Sequence, residues 1–311
     1  MIHSFPVPFS KPLQSVNTTV IFDDPLTIID PGPRGQKNSE IIASELQKRG
    51  KSIKDLKRIL LTHGHVDHFG IAEDLRQQSG ALIFLHPCDF EKTIKIDERM
   101  VAYKALLARH GCESSMLHVI DDFNDAVKNL LTPLVDPQPL PHRIAFEHCE
   151  LEVIETPGHT WGSVVFYDRK SQVLISGDTV IKKITPNPIV EFVENGQVFH
   201  SLVEFKKSID KLKPLPYSKI IPGHGDAFAE FLPVYDFYQK SWEGRENQIL
   251  TALQRLRRAT AVDVARSIFK ELNDFNLFLA VSEVIGYFDL LKCKGMIEVE
   301  ETGGILYGVC Q

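Results

Sequence analysis

The chain has 311 residues, of which 43% are hydrophobic and 24% are charged, and this composition is that of a globular protein with a sizeable core. The formal net charge of -6 and the sequence pI of about 6.1 exclude a general electrostatic attraction to nucleic acid or to an anionic membrane. The sequence has neither an apolar run of about 18 residues nor a basic segment followed by an apolar one at its start, so no membrane span and no secretory signal are expected.

The cysteines predict a reducing environment. They are odd in number, scattered along the chain, and none belongs to a C-x-x-C pair. This pattern favours reduced thiols and a cytoplasmic location over a disulfide framework or a cysteine-based zinc site. The five are Cys88, Cys112, Cys149, Cys293 and Cys310.

The first 87 residues alternate between strand and helix patterns. The apolar segments "TTVIFDDPLTIID", "KRILLTH" and "ALIFLHP" predict strands, with a turn at Asp23-Asp24-Pro25. The segment from Ser39 to Gly50 predicts a helix that begins with a serine cap and ends at a glycine. "DHFGIAEDLRQQSG" has apolar residues at helical spacing and predicts a further helix that ends at Gly80.

Residues 88–142 interrupt this alternation. Segments such as "FEKTIKIDERMVAYKALLARHG" have helical patterns, and the proline-rich "PLVDPQPLPH" ends the region. We interpret the region as a helical insertion that projects from the main domain. Strand patterns then resume in "CELEVIETPGH", "SVVFYDRKSQVLISGD" and "SKIIPGHG", with a helix predicted at about residues 202–212.

From about residue 234 the pattern changes to helices followed by two alternating strands joined at Gly303-Gly304, an order that resembles a winged helix. The sequence therefore predicts a main domain at residues 1–233, which contains the insertion, and a small C-terminal domain at residues 234–311. Residues 241–311 contain 8 Lys or Arg and 10 Asp or Glu, a net charge of -2. Because nucleic-acid-binding modules are basic on one face, packing or homodimerisation is the expected role of this domain.

Histidines and aspartates follow several of the predicted strands, in turns that contain glycine or proline. Because side chains at the ends of neighbouring strands converge on one edge of a sheet, we expect them to lie together. Imidazole and carboxylate groups without thiolates suit zinc, and also manganese or iron. Seven of these side chains, all except Asp30, are candidate metal ligands. Seven is more than one tetrahedral ion needs and is enough for two ions about 3.5–4 Å apart. The full set is Asp30, His63, His65, Asp67, His68, His159, Asp178 and His224.

The motifs T-H-G-H-V-D-H, T-P-G-H-T, S-G-D-T and P-G-H-G, in this order, resemble those of the metallo-β-lactamase superfamily over roughly residues 10–230. The resemblance implies an α+β fold, an αββα sandwich of two β-sheets between outer helices, with a metal site at one edge. The C-terminal region is similar to the winged-helix appendage of the β-lactamase-like-protein-2 group. The insertion at residues 88–142 instead resembles the helical cap of some lactonase-like and quinolone-signal-response members.

The resemblance also implies a role for each ligand-type residue. The first of two divalent metal ions, zinc by preference with manganese or iron as alternatives, is expected to be held by His63, His65 and His159. The second is expected to be held by Asp67, His68 and His224. Asp178 is expected to bridge the two ions together with a hydroxide, while Asp30 orients a ligand histidine without binding metal. Asp67 and Asp178 are the residues expected to act in catalysis.

Three functions are compatible with this site. The first is hydrolysis of a thioester, lactone or other carboxylic ester of a small molecule by a metal-bridging hydroxide. A helical cap would supply an apolar pocket for such a substrate. The alternatives are a metal-dependent endoribonuclease, indicated by the winged-helix resemblance, and a non-catalytic regulator that retains the fold. The residues of the insertion expected to line the pocket are Ile94, Met100, Val101, Leu106 and Leu107.

Overall fold

The first sheet has six strands, and each strand pairs with the next one along the chain. The computed structural model of the protein describes residues 1–9, 14–192, 198–270, 272 and 274–310. The strands are β1 (Ile2–Pro8), β2 (Ser15–Ile21), β3 (Thr27–Ile29), β4 (Arg58–Leu60), β5 (Leu82–Leu85) and β6 (Gln138–Pro139). β1, β2 and β3 pair antiparallel, whereas the pairs from β3 to β6 are parallel.

The second sheet has five strands. They are β7 (Arg143–Ala145), β8 (Glu150–Glu155), β9 (Val164–Asp168), β10 (Val173–Gly177) and, after a short ribbon of β11 (Glu191–Phe192) and β12 (Val198–Phe199), β13 (Lys219–Pro222). Their order in the sheet is β13-β10-β9-β8-β7. β10 and β13 are parallel, and the other neighbours are antiparallel.

Ten helices lie in the described part of the chain. Those of the first half are α1 (Gln36–Gln47), α2 (Val66–Phe69), α3 (Ala72–Ser79), α4 (Phe90–Ile94), α5 (Ile96–Arg109) and α6 (Ser114–Lys128). Those of the second half are α7 (Ser201–Leu212), α8 (Phe231–Leu256), α9 (Ala261–Ile268) and α10 (Asp274–Cys293). Short 3-10 turns cover Ile53–Asp55 and Pro87–Asp89. None of the described helices is both long and apolar enough to cross a membrane.

Apolar side chains between the two sheets form the central core, which includes Leu60 of β4 and Phe166 of β9. Because successive strand residues point to opposite faces, the next residue of β9, Tyr167, belongs to an outer cluster beneath α7. On the far side, Ile42 of α1 and Leu75 of α3 cover the first sheet. This arrangement of helix, sheet, sheet and helix confirms the predicted αββα sandwich.

The C-terminal region packs against the helix layer of the second sheet. α10 contacts α7, α8 and α9, and all four helices contribute to one apolar cluster. A small sheet follows, formed by β14 (Arg258–Ala259), β16 (Ile305–Cys310) and β15 (Ile297–Thr302) in that spatial order. The hairpin between β15 and β16 turns at Gly303-Gly304, where the sequence predicts it, and both glycines have positive φ.

Two helix predictions are wrong in detail. α1 begins after Gly35 and not at Ser39, because the Ser39 amide already donates to the Gly35 carbonyl. The buried Asn38 side chain holds this first turn through hydrogen bonds to the carbonyls of Pro33 and Pro8. The segment predicted as one helix after Asp67 forms two, α2 and α3. The break falls at Gly70, whose carbonyl accepts a hydrogen bond from the Thr132 amide and therefore does not continue the helix.

Candidate metal centre

The ligand-type side chains converge at one edge of the sandwich. The parallel neighbours β3 and β4 are followed by Asp30 and His63, and the parallel neighbours β10 and β13 are followed by Asp178 and His224. β8 and β10 both pair antiparallel with β9 and so run in the same direction, which places the turn of His159 at the same edge. The structure thus brings together all seven predicted ligands and Asp30.

Three histidines form the first group, with their ring nitrogens facing one another. His65 Nδ1 lies 3.1 Å from His63 Nε2 and 2.9 Å from His159 Nε2. His63 and His159 are buried, and His65 is half-buried. Because a neutral imidazole has one nitrogen that only accepts, three inward-facing nitrogens form a natural site for a cation.

The second group consists of Asp67, His68 and His224, and Asp178 lies between the two groups. His224 Nε2 lies 3.2 Å from Asp67 Oδ2, and His68 Nε2 lies 3.4 Å from Asp178 Oδ1. Asp178 Oδ2 is 3.5 Å from His224 Nε2 and 3.6 Å from His159 Nε2. The Asp178 carboxylate therefore contacts ligand nitrogens of both groups.

Hydrogen bonds from the opposite ring nitrogen fix the orientation of four of these histidines. Each partner oxygen accepts a hydrogen bond from Nδ1–H, so Nε2 is the nitrogen left to face inward. His65, whose Nδ1 faces inward, is the exception. The four pairs are His63 with the Thr62 hydroxyl (3.0 Å), His68 with Asp30 Oδ2 (2.9 Å), His159 with the Asn187 carbonyl (2.8 Å) and His224 with the Ser15 carbonyl (2.6 Å).

The electrostatics of the two groups differ. Burial, followed by the neighbouring histidines, lowers the pKa of His63 and His65 well below the usual value, so both rings are neutral. Burial also acts against the charged form of His224, but Asp178 outweighs it and raises the pKa of His224 to about 10. Burial would raise the pKa of Asp178, yet His224 and His68 hold it well below the usual value. The carboxylates of Asp67 and Asp178 therefore favour positive charge at the second group, which a proton on the imidazoles or a bound cation can supply.

Three buried polar atoms of the centre make no hydrogen bond within the described residues: His68 Nε2, His224 Nε2 and Asp178 Oδ1. Leaving one such atom without a partner costs about 1–3 kcal/mol. A cluster of them therefore indicates atoms arranged to bind a cation. Neutral imidazole nitrogens and carboxylate oxygens are ligands for zinc and related divalent metals, so the residues present fit a metal centre.

The sequence profile of the metallo-beta-lactamase superfamily matches residues 12–224, a range that contains all seven ligand-type residues. The chain belongs to the metallo-β-lactamase superfamily. It is similar to the probable metallo-hydrolase YqjP of Bacillus subtilis, with 24% identity over 97% of this chain and 95% of that one. It is also 30% identical to the beta-lactamase-like protein 2 homolog of Drosophila melanogaster over 53% of each chain.

Solved structures share the fold of this superfamily member. A metallo-beta-lactamase family protein from Thermus thermophilus has a TM-score of 0.84 and 22% identity, over 100% of this chain and 98% of that one. The match therefore extends through the insertion and the C-terminal region. The di-iron-bound form of TTHA1623 has a TM-score of 0.51 and 24% identity, over 72% of this chain and 94% of that one.

One buried carboxylate of the site, Asp89, was not predicted from the sequence. It holds the two loops that carry the histidines of the first group. Asp89 accepts hydrogen bonds from the amides of Gly64 (2.7 Å) and Gly162 (2.9 Å) and from the Thr160 hydroxyl (2.8 Å). Gly64 separates two of the group's histidines, and Thr160 directly follows the third. Asp89 also pairs with Lys92 at 3.1 Å. The available signal was its position shortly after strand β5, like that of the other site residues.

The predicted pocket lining is partly wrong. Leu106 and Leu107 of α5 are buried in the apolar cluster that also contains Val262 of α9 and Val281 of α10. Their helical spacing therefore reflects packing against the C-terminal region and not a pocket wall. Val101 of the same helix is exposed.

A further group of ligand-type residues lies outside the superfamily site, on the surface, and comprises Asp23, Glu147 and His148. Asp23 already accepts hydrogen bonds from the Asp24 amide and from both the backbone amide and Nδ1 of His148. These bonds connect the β2–β3 turn to the β7–β8 turn, so a structural role accounts for the group.

Replacement of Gly223 by alanine is expected to weaken metal binding at the second group. A Cβ atom at Gly223 would lie 2.2 Å from Asp178 Oδ1 and 2.8 Å from His68 Cε1, so both side chains must move. Displacing a metal ligand weakens metal binding at least as much as removing a residue that orients a ligand. We therefore expect the metal dissociation constant to rise by about 10-fold to 100-fold. Competition with a chromophoric chelator measures it.

Gly225→Ala is the matched control in the same loop. Its φ is +79°, but a Cβ atom there would meet nothing within 4 Å among the described residues. This variant is therefore expected to lose about 1 kcal/mol of stability through backbone strain alone. Equal metal affinity in the Gly223→Ala protein and the wild type would contradict the close approach of Gly223 to Asp178.

Proposed function

We propose that this metal-dependent hydrolase of the metallo-β-lactamase superfamily binds two divalent ions and cleaves a thioester, lactone or other carboxylic ester of a small molecule. The observation that supports it is the position of Asp178, which contacts a group of three histidines on one side and His68 and His224 on the other. Two adjacent ligand groups that share one carboxylate are the arrangement expected for two-metal hydrolysis.

The proposal assigns His63, His65 and His159 to one ion and Asp67, His68 and His224 to the other, with Asp178 between them. Zinc is the expected metal because the ligands are imidazoles and carboxylates. Iron and manganese remain alternatives, since a structural neighbour is described as di-iron-bound. Bound divalent ions would polarise a carbonyl oxygen and would lower the pKa of water to about 7.

The protein's own groups are proposed to orient the reactants and to move the proton. Asp178, whose carboxylate contacts both ligand groups, is proposed to accept a proton released by water and to pass it to the leaving group. Asp67 Oδ2, 3.2 Å from His224 Nε2, would bind the second ion beside that ring, which the Ser15 carbonyl orients through Nδ1. Asp30 accepts from His68 Nδ1 and so orients its ring.

No cysteine nucleophile is part of the proposal. Burial raises the pKa of the Cys88 thiol to about 11, and it does the same for Cys112 and Cys149. Thiols with such pKa values are protonated at neutral pH and react poorly. A cytoplasmic location stays a prediction from the cysteine pattern of the sequence.

A small-molecule ester is preferred to RNA as the substrate on three grounds. Residues 280–291 of α10 are all buried or half-buried, whereas a winged helix that reads nucleic acid leaves its second helix free for the groove. Residues 241–311, which include α10, also have a net charge of -2. In addition, the stem of Lys92 in α4 packs against Gly64, between two ligand histidines, so the helical insertion reaches the first histidine group, as a cap over a small-molecule site would. Homodimerisation through the C-terminal region stays a prediction.

A substrate screen tests the proposal. Protein reconstituted with zinc, manganese or iron would be assayed against thioesters, lactones and single-stranded RNA. We expect turnover of an ester-type substrate that His63→Ala removes and His142→Ala, a change at an exposed histidine, retains. RNA cleavage without ester turnover would favour the endoribonuclease, and no turnover by metal-loaded protein would favour the non-catalytic regulator.

A further inference from the structure

The backbone partner of His159 belongs to a loop that the C-terminal region holds in place. His159 Nδ1 donates to the carbonyl of Asn187 at 2.8 Å, and this bond orients Nε2 toward His65 and Asp178. Asn187 lies in the segment between β10 and β11. The position of His159 therefore depends on what fixes this segment.

Two hydrogen bonds attach the segment to α10. The side-chain Nδ2 of Asn187 donates to the Leu279 carbonyl at 2.8 Å, and the Val190 amide donates to Ser282 Oγ at 2.8 Å. Each bond connects positions 92 residues apart. α10 lies beyond residue 224, where the superfamily profile ends.

The segment and the helix it contacts are both well packed. Val190 and Ser282 are buried, and Val190 belongs to the same apolar cluster as Val281 and Val284 of α10. A helix that is packed on several sides offers a rigid attachment point, and rigid outer contacts hold metal ligands in a fixed orientation.

We propose that the C-terminal region completes the first metal site, with Asn187 and Ser282 as positioning residues that fix His159 from α10. The inference rests on the proposed binding of two ions. It gives the C-terminal region a role in metal affinity in addition to packing, and it makes that role specific to one of the two ligand groups.

The specificity follows from how the second group is held. His224 Nδ1 donates to the Ser15 carbonyl, and Asn17 Nδ2 donates to the carbonyls of Pro222 and Gly225 on either side of that histidine. Ser15 and Asn17 both belong to β2 of the first sheet. Asn17 thus holds the loop of His224 directly, whereas the Asn187 side chain attaches to α10 the segment whose carbonyl orients His159.

The test measures the two metal affinities separately in Asn187→Ala and Asn17→Ala. Cobalt(II) bound by three histidines and cobalt(II) bound by two histidines and a carboxylate have different visible spectra, so a titration reports each site. His63→Ala and His224→Ala serve as references for each spectrum. Asn187→Ala is expected to weaken the first site by about 10-fold or more and to leave the second unchanged. Asn17→Ala is expected to do the reverse.

Ser282→Ala tests the second attachment independently and is expected to weaken the first site in the same direction. Thermal unfolding of each metal-free variant shows that it is folded. Unchanged affinities in a folded Asn187→Ala protein, or an equal loss at both sites, would overturn the inference. Failure of the wild type to bind cobalt, zinc or iron would instead overturn the proposed two-metal function.

Discussion

Replacing Asp178 with alanine is expected to abolish ester hydrolysis. The loss in kcat/KM should be far larger than the loss of about 100-fold caused by removing a residue that only orients a metal ligand. Asp178 is the one residue in the described centre that contacts His68, His159 and His224 together. Its removal would take a ligand from both proposed metal sites and the proposed proton carrier from the reaction. Steady-state kinetics on metal-saturated protein measure the loss, and the same samples give the metal stoichiometry.

Asp236→Ala, on the exposed face of α8, is the control for a general effect of removing a carboxylate. We expect it to retain wild-type activity and metal content. Asp178 does not belong to the apolar clusters that support the sandwich, so its alanine variant is expected to remain folded without metal. A fully active, metal-loaded Asp178→Ala protein would contradict the bridging role.

Replacing Asp89 with alanine is expected to lower the free energy of unfolding by about 3–5 kcal/mol, the cost of breaking a buried ion pair. Asp89 is fully buried, and together with Glu191 it balances the charges of Lys92 and Arg99. Burial acts to raise its pKa, but Lys92 and the hydrogen bonds to Asp89 hold the pKa below the usual value. Without Asp89, two backbone amides lose their acceptor and the network gains a net positive charge. Urea unfolding of the metal-free protein measures the change.

The same variant is also expected to weaken the first metal site by about 10-fold, because Asp89 holds both of its loops. Asp168→Ala provides a matched control. Asp168 is likewise buried and accepts three hydrogen bonds, but all come from Lys170 and Ser171 within its own turn. It is expected to destabilise the protein without changing metal affinity. Equal metal affinities in the Asp89→Ala and Asp168→Ala proteins would contradict the role of Asp89.

The sandwich and the ligand-type residues could be predicted because their signals are local. Four of the eight site residues lie within the six positions from His63 to His68, and the others follow short apolar strands in turns with glycine or proline. Strand direction then determines that β3, β4, β8, β10 and β13 end at one edge. Neither inference needs knowledge of side-chain packing.

The contacts that hold the ligands could not be predicted in this way. Asn187 acts through a backbone carbonyl and through a hydrogen bond to a helix 92 residues further along the chain, and neither leaves a pattern in the sequence. Asp89 differs from an ordinary turn aspartate only in its tertiary partners. Leu106 and Leu107 have the spacing of a helix with one apolar face, but that spacing does not distinguish a pocket wall from packing against the C-terminal region.

The metal content of the purified protein tests the central claim most directly. After incubation with zinc, manganese or iron and removal of the excess, elemental mass spectrometry would give the number of ions per chain. The account predicts about two ions per chain in the wild type and fewer in Asp178→Ala. Wild-type protein that retains no divalent ion under any of these conditions would contradict the assignment of these residues as a two-metal centre.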